Sequence, residues 1–141
     1  MKAEEQICCQ GHAFVSALHP TTFEVTTSDD LTAAGDCIIG VWADKGAADL
    51  SQEFREVLSL PGSVLVTNLA CGGVEVEVHS SGGPGLTLTH PHDLVWRKSS
   101  YVCPRTVGIC SDRSARTIDR DLIRRLREGR EMEVRLVVFT P

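Results

Sequence analysis

The sequence lacks the long apolar run that a membrane-spanning helix needs. No stretch of the 141 residues approaches about 18 uninterrupted apolar residues, and the opening segment MKAEEQICCQGH has no basic-then-apolar signal pattern. These absences predict a protein that has no membrane association and stays in the cytoplasm. The six cysteines are then expected to be buried free thiols, because disulfides are rare in a reducing compartment.

Common signatures of catalytic and metal sites are also missing. The chain has neither the Cys-x-x-Cys nor the His-Glu-x-x-His spacing of metal sites, and no serine stands in a Gly-x-Ser-x-Gly elbow. The segment SSGGPG at 80–85 lacks the lysine of a phosphate-binding loop, so it is interpreted as a hairpin connection. No motif therefore decides whether the protein is an enzyme, and none indicates a cofactor.

What the chain does have is the composition of one ordinary globular domain. Apolar residues make up 42% and charged residues 23%, so neither a disordered nor a fibrous class is indicated, and the length suits a single domain over residues 1–141. The net charge of −5 is unevenly distributed, because residues 1–70 carry three basic and ten acidic side chains whereas residues 71–141 carry eleven basic and nine acidic ones. Such asymmetry sometimes marks a surface for anionic partners, whereas the overall acidity argues against a dedicated nucleic-acid protein.

The two halves of the chain resemble each other. The segment GVWADKGAADLSQEF at 40–54 aligns with GICSDRSARTIDRDL at 108–122 at an offset of 68, and VSALHPTTFEV at 15–25 aligns with LTLTHPHDLVW at 86–96 at an offset of 71. The change of offset falls in a loop, where insertions are tolerated. We therefore predict an internal duplication, with repeats at approximately 8–70 and 79–140.

Each predicted repeat has the order strand, strand, strand, helix, strand. Alternation predicts strands at 15–18, 23–27, 37–42 and 64–69, and a linking strand at 74–78. Apolar residues at helical spacing predict a helix from Ala47 to Leu58 and its counterpart from Ala115 to Leu126. The expected class is α+β, mainly β, with two helices and a pseudo-two-fold, closed or nearly closed β-barrel, because closure removes exposed strand edges.

Two long segments resemble a known family. They are HPTTFEVTTSDDLTAAGDCIIGVWADKGAADL at 19–50 and VWRKSSYVCPRTVGICSDRSA at 95–115. They resemble a family of small archaeal proteins, common in methanogens, catalogued as domain of unknown function 371, and the resemblance spans nearly the whole chain. It implies an archaeal, intracellular protein with no assigned activity and no assigned catalytic residue. The shorter segment LTAAGDCII, from Leu31, resembles the Gly-Asp turn of duplicated cradle-loop barrels, which bears on the fold only.

A basic cluster in the second half is the preferred candidate for a binding site. It consists of Arg97, Lys98, Ser99 and Arg105. Guanidinium groups beside hydroxyl donors suit a phosphate or carboxylate, and Asp36, in the unmatched Gly-Asp turn of the first half, is assigned to the same site. The predicted function is a binding module for an anionic ligand, either a phosphorylated small molecule or a nucleic-acid segment such as RNA. The structural alternative is that Arg97 and Arg105 form ion pairs with Asp36 or Asp93 on neighbouring strands.

Three histidines suggest a different function, a small and possibly metal-dependent enzyme with its site at the junction of the halves. His19 and His90 stand at aligned positions, and His92 shares one face of an extended segment with His90, so the three could ligate a common metal. The other interpretation is that each His-Pro pair forms a turn whose imidazole hydrogen-bonds nearby backbone. The sequence leaves both interpretations open.

Two further patterns have plainer explanations. Asp44 and Asp112 stand between a strand and a helix in each half, where capping of the helix is favoured over catalysis. One face of the second predicted helix carries Arg116, Arg120, Arg124 and Arg127. That face could meet a phosphate backbone, but a solvated surface of ion pairs is the simpler interpretation. None of these patterns fixes the oligomeric state.

Overall fold

The computed structural model describes residues 1–32 and 34–141. Ala33, in the segment that resembles the cradle-loop turn, lies outside them. The strands are β1 (Lys2–Gln10), β2 (Thr22–Thr26), β3 (Ile38–Gly40), β4 (Val64–Cys71), β5 (Val74–Ser81), β6 (Asp93–Arg97), β7 (Thr106–Gly108) and β8 (Glu131–Phe139). The helices are α1 (Gln52–Leu58) and α2 (Arg120–Arg127), which follow the 3-10 turns Ala47–Asp49 and Ala115–Thr117. The α+β class, mainly β, is confirmed.

The strands form two four-stranded sheets, and the prediction of a closed or nearly closed barrel is wrong. The order is β1-β8-β4-β5 in the first sheet and β3-β2-β6-β7 in the second. Across the described residues, strand-type pairing between the sheets is limited to two isolated bridges, Gln10–Val41 and Ser81–Ile109. The edge strands β3 and β7 are three residues long, too short for the continuous hydrogen-bonded ladder that closure requires.

The first sheet buries one face. Strands β4 and β8 alternate between buried and more accessible residues along their whole length, as the pleat of a strand requires. The segment 15–18, predicted as the first strand, forms none. It does bury Val15 and Ala17, which explains its alternation, but Ala17 has a φ of +52°, which strand geometry excludes. The first strand is instead β1.

The second sheet supplies the centre of the core. Strands β2 and β6 pair antiparallel, with Glu24 opposite Val95. The rings of Phe23 and Trp96 stack with centroids 4.7 Å apart. The Trp96 indole N–H donates to Thr67 Oγ1 in the first sheet at 2.9 Å, and all three side chains are fully buried. The core is therefore shared by the two sheets.

Both helices begin later than their apolar stripes predict. Ala47 and Ala115 lie in the 3-10 turns, and the chain then extends before each α-helix starts. The Ser51 hydroxyl accepts from Phe54 N at 3.1 Å at the start of α1, and the Asp119 carboxylate accepts from Asp121 N at 2.8 Å at the start of α2. Within the described chain, no helix has the length and apolar character needed to cross a membrane.

The two aspartates predicted as helix caps have another role. The carboxylate of Asp44 accepts from Cys8 N in β1 at 3.1 Å, and that of Asp112 accepts from His79 N in β5 at 3.0 Å. The capping prediction is therefore wrong, because these side chains turn back onto the first sheet and the helices start several residues further on.

The order of elements occurs twice along the chain. Three strands, a 3-10 turn, a helix and a strand lie in residues 2–71, and the same order follows in 74–139. Gly11 and Gly82, which align at the offset of 71, have equivalent surroundings. A Cβ at Gly11 would overlap the carbonyl of Leu126, and a Cβ at Gly82 would overlap the carbonyl of Leu58. The internal duplication, with its boundaries at 8–70 and 79–140, and the single-domain assignment stay predictions.

Candidate functional site

A group of charged and hydrogen-bonding side chains lies where β6 meets β7. These strands are parallel neighbours, so the loop between them runs back to the start of β6 and brings Arg105 and Thr106 beside Asp93 and Val95. The backbone confirms this placement, because Val95 N donates to Arg105 O at 2.8 Å. The group, called the Cys103 cluster below, consists of Glu24, Asp93, Arg97, Cys103, Arg105 and Thr106.

The thiol of Cys103 is surrounded by hydrogen-bond donors. Arg97 Nη2 lies 3.3 Å from Sγ, and Thr106 Oγ1 lies 3.6 Å from it. Thr106 Oγ1 already accepts from Cys103 N and Arg97 Nε, both at 3.1 Å. Its own proton is therefore free to point at the sulfur. The positive charge of Arg105, two residues along the chain, also favours the ionised thiol.

These donors change the acidity of the thiol. Partial burial acts to raise the pKa of Cys103, but hydrogen bonds from the Thr106 hydroxyl, the Arg105 backbone N–H and both guanidinium groups outweigh it and lower the pKa from 9.0 to about 7. About half of this thiol is therefore ionised at neutral pH. A partly exposed thiolate is both a nucleophile and a soft anion.

Arg105 links the thiol to two carboxylates. Its Nη1 lies 2.9 Å from Glu24 Oε1 and 3.3 Å from Asp93 Oδ2. Asp93 also accepts from the Thr26 hydroxyl at 2.8 Å. The ion-pair alternative for Arg105 is therefore observed with Asp93, and with Glu24, which the sequence analysis did not name. These contacts fix the guanidinium in one orientation.

Glu24 is the buried acid of the cluster. Its side chain is 6% exposed, and burial together with the nearby Asp93 carboxylate raises its pKa to about 7, against the opposing attraction of Arg105 and Arg97. Cys37 lies in the same field: burial and then Glu24 raise the pKa of its thiol to about 11. The cluster thus holds two groups that titrate near neutral pH, Glu24 and Cys103.

The other predicted binding residues lie at the edge of this cluster or outside it. Lys98 and Ser99 are exposed beyond the end of β6, and the Ser99 hydroxyl accepts from Tyr101 N at 3.3 Å. Asp36 is half-buried; its backbone carbonyl accepts from Leu18 N and His19 N. Asp36 is not one of the residues of the cluster, and its charge helps to raise the pKa of the neighbouring Cys37. Of the predicted set, Arg97 and Arg105 converge.

His19 and His90 each accept a hydrogen bond from nearby backbone, as one of the two interpretations of the sequence predicts. His19 Nδ1 accepts from Thr21 N at 3.2 Å, and His90 Nδ1 accepts from His92 N at 3.1 Å and Asp93 N at 2.9 Å. The rings of His90 and His92 lie 6.2 Å apart. Over residues 1–32 and 34–141, no group of three or more His, Cys, Asp or Glu is arranged to hold a metal. A metal site on these histidines stays a prediction, which elemental analysis can test.

The arginine face of α2 is partly committed to local contacts. Arg120 donates to the carbonyls of Ile118 and Ala17, each at 3.1 Å, and Arg124 pairs with Asp121 at 2.6 Å. These contacts agree with a solvated, locally paired surface.

Sequence reasoning missed Cys103 and Glu24. Cys103 was grouped with the buried thiols, although Cys103-Pro104-Arg105 places a basic residue two positions from a cysteine. Glu24 stands among apolar and β-branched residues in FEVTT, where a carboxylate is costly unless it is paired. An acid inside an otherwise apolar strand was the signal available.

The comparisons with known proteins concern the chain as a whole. Residues 7–139 match the family described as domain of unknown function 371. The chain is also 42% identical over 132 residues to an uncharacterised protein of the methanogen Methanocaldococcus jannaschii, a match that covers 94% of this chain and 97% of that protein. Both results agree with the resemblance found from the residues, and the chain belongs to the family catalogued as domain of unknown function 371.

Proposed function

We propose that this protein binds a small anionic ligand, such as a phosphorylated metabolite, at the Cys103 cluster. One observation carries the proposal: the Arg97 guanidinium donates to Cys103 Sγ at 3.3 Å, and the Arg105 guanidinium lies in the same cluster, held by Glu24 and Asp93. A point between two guanidinium groups favours negative charge, and their planar donors match carboxylate or phosphate oxygens. The remaining exposure of Arg105, 39% of its side chain, leaves the group accessible to a ligand.

The charge of the cluster sets the pH at which the anion binds. When Glu24 and Cys103 are both protonated, two guanidinium groups face a single carboxylate, that of Asp93. When both have ionised, three negative groups face the same two arginines. Because the pKa of each group is about 7, the cluster changes from net positive to net negative across neutral pH. Anion affinity is therefore expected to fall as the pH rises through about 7.

Calorimetric titration with inorganic phosphate and with a nucleoside monophosphate tests the proposal. Arg97→Gln should weaken binding at least tenfold, because a charge-assisted hydrogen bond is worth about 1.5–3 kcal/mol. Arg135→Gln is the matched control, since Arg135 is an exposed arginine of β8 that pairs with Glu133. Equal affinity in wild type and Arg97→Gln, or no binding of either ligand below about pH 6, would overturn the proposal.

A nucleic-acid segment is the less favoured ligand. The net charge of −5 opposes a polyanion, and the described cluster offers two converging arginines rather than an extended basic surface. A short RNA in the same titration distinguishes the two: affinity that falls steeply with salt and survives in Arg97→Gln would indicate RNA binding elsewhere on the protein.

Catalysis at the junction of the halves is the second candidate. It is favoured by one observation: Arg105 pairs with Glu24 at 2.9 Å and the adjacent Arg97 donates to Cys103 Sγ at 3.3 Å. The pKa values of Glu24 and Cys103, each about 7, suit proton transfer and nucleophilic attack. Release of phosphate from small phosphate monoesters by wild type but not by Cys103→Ser would support it. Equal release by both proteins would remove it.

We also propose that the two halves arose by duplication. Equivalent contacts support this: Gln10–Val41 and Ser81–Ile109 bridge the sheets at aligned positions, and His19 and His90 both accept backbone hydrogen bonds through Nδ1.

All six cysteines are free in the structure, which supports our proposal of a cytoplasmic, reducing location.

A further inference from the structure

Cys103 differs from the other cysteines in what surrounds its sulfur. Cys9 and Cys71 are buried, and Cys37 is half-buried beside Glu24, with its pKa raised by burial first and by that carboxylate second. Cys110 is exposed, and Cys8 is half-buried next to the Asp44 carboxylate, which accepts from its backbone N–H. Cys103 combines partial exposure with a guanidinium donor, that of Arg97, on its sulfur. A reagent can therefore reach the sulfur of Cys103, which lies beside a positively charged side chain.

The cluster is rigid before any ligand arrives. Arg105 is held by two carboxylates, at 2.9 and 3.3 Å. Arg97 is held by Thr106 Oγ1 at 3.1 Å and lies over the Tyr101 ring, with 4.9 Å between its guanidinium carbon and the ring centroid. Donors fixed in advance lose little conformational entropy when an anionic group binds. The same donors stabilise the thiolate, so no separate base is needed to ionise the sulfur.

We propose that Cys103 is a nucleophilic site for small carbon electrophiles that carry a carboxylate or a phosphate, with Arg97 and Arg105 holding the anionic group. This inference rests on the proposed anion binding at the same place. In the reaction, an electron pair of the thiolate sulfur forms the new S–C bond. The bond between that carbon and its leaving group breaks, and the leaving group departs with its electron pair.

Alkylation by iodoacetate and iodoacetamide tests the inference, because the two reagents share the reacting carbon and differ in charge. Each forms an S–C bond and releases iodide. Rates at individual cysteines are read by mass spectrometry of digested protein after timed exposure. At an ordinary thiolate the carboxylate of iodoacetate is repelled, so iodoacetamide reacts faster. Near pH 6, where Glu24 is mostly protonated, the two arginines balance Asp93 and the reacting thiolate, so this order should be reversed at Cys103, and inorganic phosphate should slow the iodoacetate reaction.

The expected rate follows from the thiolate fraction. Lowering the pKa from 9.0 to about 7 raises the ionised fraction at neutral pH about 50-fold. The lower basicity reduces intrinsic nucleophilicity about 8-fold, using a Brønsted coefficient of about 0.45. Iodoacetamide should therefore react with Cys103 about 6-fold faster than with a thiol of pKa 9.0 and equal exposure. The rate should also level off above about pH 8, when ionisation is complete.

The ratio of the iodoacetate rate to the iodoacetamide rate is the decisive quantity. It is measured at one sulfur, so partial unfolding, which changes access for both reagents alike, affects it little. We expect a ratio above one at Cys103 and below one at Cys110. The ratio at Cys103 should fall at least fivefold in Arg97→Gln and stay unchanged in the control Arg135→Gln.

The outcomes separate this inference from the function on which it rests. If phosphate binds in the calorimeter but the ratio at Cys103 equals that at Cys110, anion binding stands and the nucleophilic site is overturned. If phosphate neither binds nor protects Cys103 and the ratio is below one, both proposals fail. A ratio above one that disappears in Arg97→Gln supports both.

Discussion

Replacement of Glu24 by glutamine should remove most of a pH-dependent loss of stability. In the folded protein the pKa of Glu24 is about 7, against an ordinary value of 4.5, because burial and Asp93 disfavour its charge. The unfolded chain therefore releases this proton at lower pH than the folded protein does. The stabilising contribution of the protonated acid is complete below about pH 4.5 and is lost as the pH rises to about 7.

The size of the effect follows from the shift. A difference of about 2.5 pKa units corresponds to about 3 kcal/mol at 1.36 kcal/mol per unit, and the 6% exposure of the side chain leaves little solvent screening. Glutamine resembles the protonated acid and keeps a carbonyl oxygen for Arg105. Glu24→Gln should therefore match wild type near pH 4 and exceed it by about 3 kcal/mol near pH 8.5.

Urea unfolding of both proteins across this range is the assay. Glu5→Gln is the matched control, because the effect has the opposite sign there. Burial acts to raise the pKa of Glu5, but hydrogen bonds from Lys45 and Ser51 outweigh it and hold the pKa below its ordinary value, so Glu5 contributes stability that is lost at acid pH. Parallel pH profiles for wild type and Glu24→Gln would refute the argument.

Three further substitutions test the core and the helix contacts. Thr67→Val leaves the buried Trp96 indole N–H without its acceptor and should cost about 1–3 kcal/mol in urea unfolding; an unchanged midpoint would contradict this. Gly11→Ala should lower the thermal midpoint by several degrees, because its Cβ would overlap the Leu126 carbonyl, whereas Gly85→Ala, with only Val102 Cγ2 at 3.9 Å, should leave it within about 2 °C. Ser51→Ala removes the cap of α1 and should cost about 1 kcal/mol, which denaturant unfolding can measure.

Local pattern predicted most strands correctly because β4 alternates in burial along its length and β2, buried throughout, is rich in β-branched residues. The segments predicted at 23–27, 64–69 and 74–78 all lie in or overlap observed strands. Prediction from periodicity failed where residues are buried without being paired in a strand. Residues 15–18 alternate in burial but bend through Ala17, and the helical stripes cross a break, because Leu50 and Ile118 are buried in extended backbone between a 3-10 turn and a helix.

Barrel closure was beyond sequence reasoning because it depends on strand lengths at the sheet edges. Strand β3 was predicted as 37–42, and the observed strand is Ile38–Gly40. Its parallel pairing to β2 shifts register between Glu24 and Val25, which ends the ladder after a few residues. A pattern of apolar residues records burial, and Val41 is buried although it makes only an isolated bridge.

The candidate site was only half predictable for a different reason. Arg97 and Arg105 were found because charge of one sign clusters locally in the sequence. Glu24 lies 81 positions from Arg105, and only the antiparallel pairing of β2 with β6 brings it to the cluster. No local window contains that contact, so the sequence can mark Glu24 as an unusual acid in an apolar strand, but its pairing with Arg105 depends on the topology.

The positions that align between the halves explain why the cluster exists on one side only. At the offsets of 68 and 71, Gly35, Cys37 and Ile38 align with Cys103, Arg105 and Thr106, while Thr26 aligns with Arg97. The backbone at these positions is alike, since β3 and β7 both pair parallel to a central strand. In the first half this backbone carries Gly35, Cys37 and Ile38. The backbone itself therefore does not require the thiol, guanidinium and hydroxyl that stand at the aligned positions of the second half. The residues of the Cys103 cluster are therefore not a requirement of the backbone that the two halves have in common, which favours the proposal that they serve a ligand.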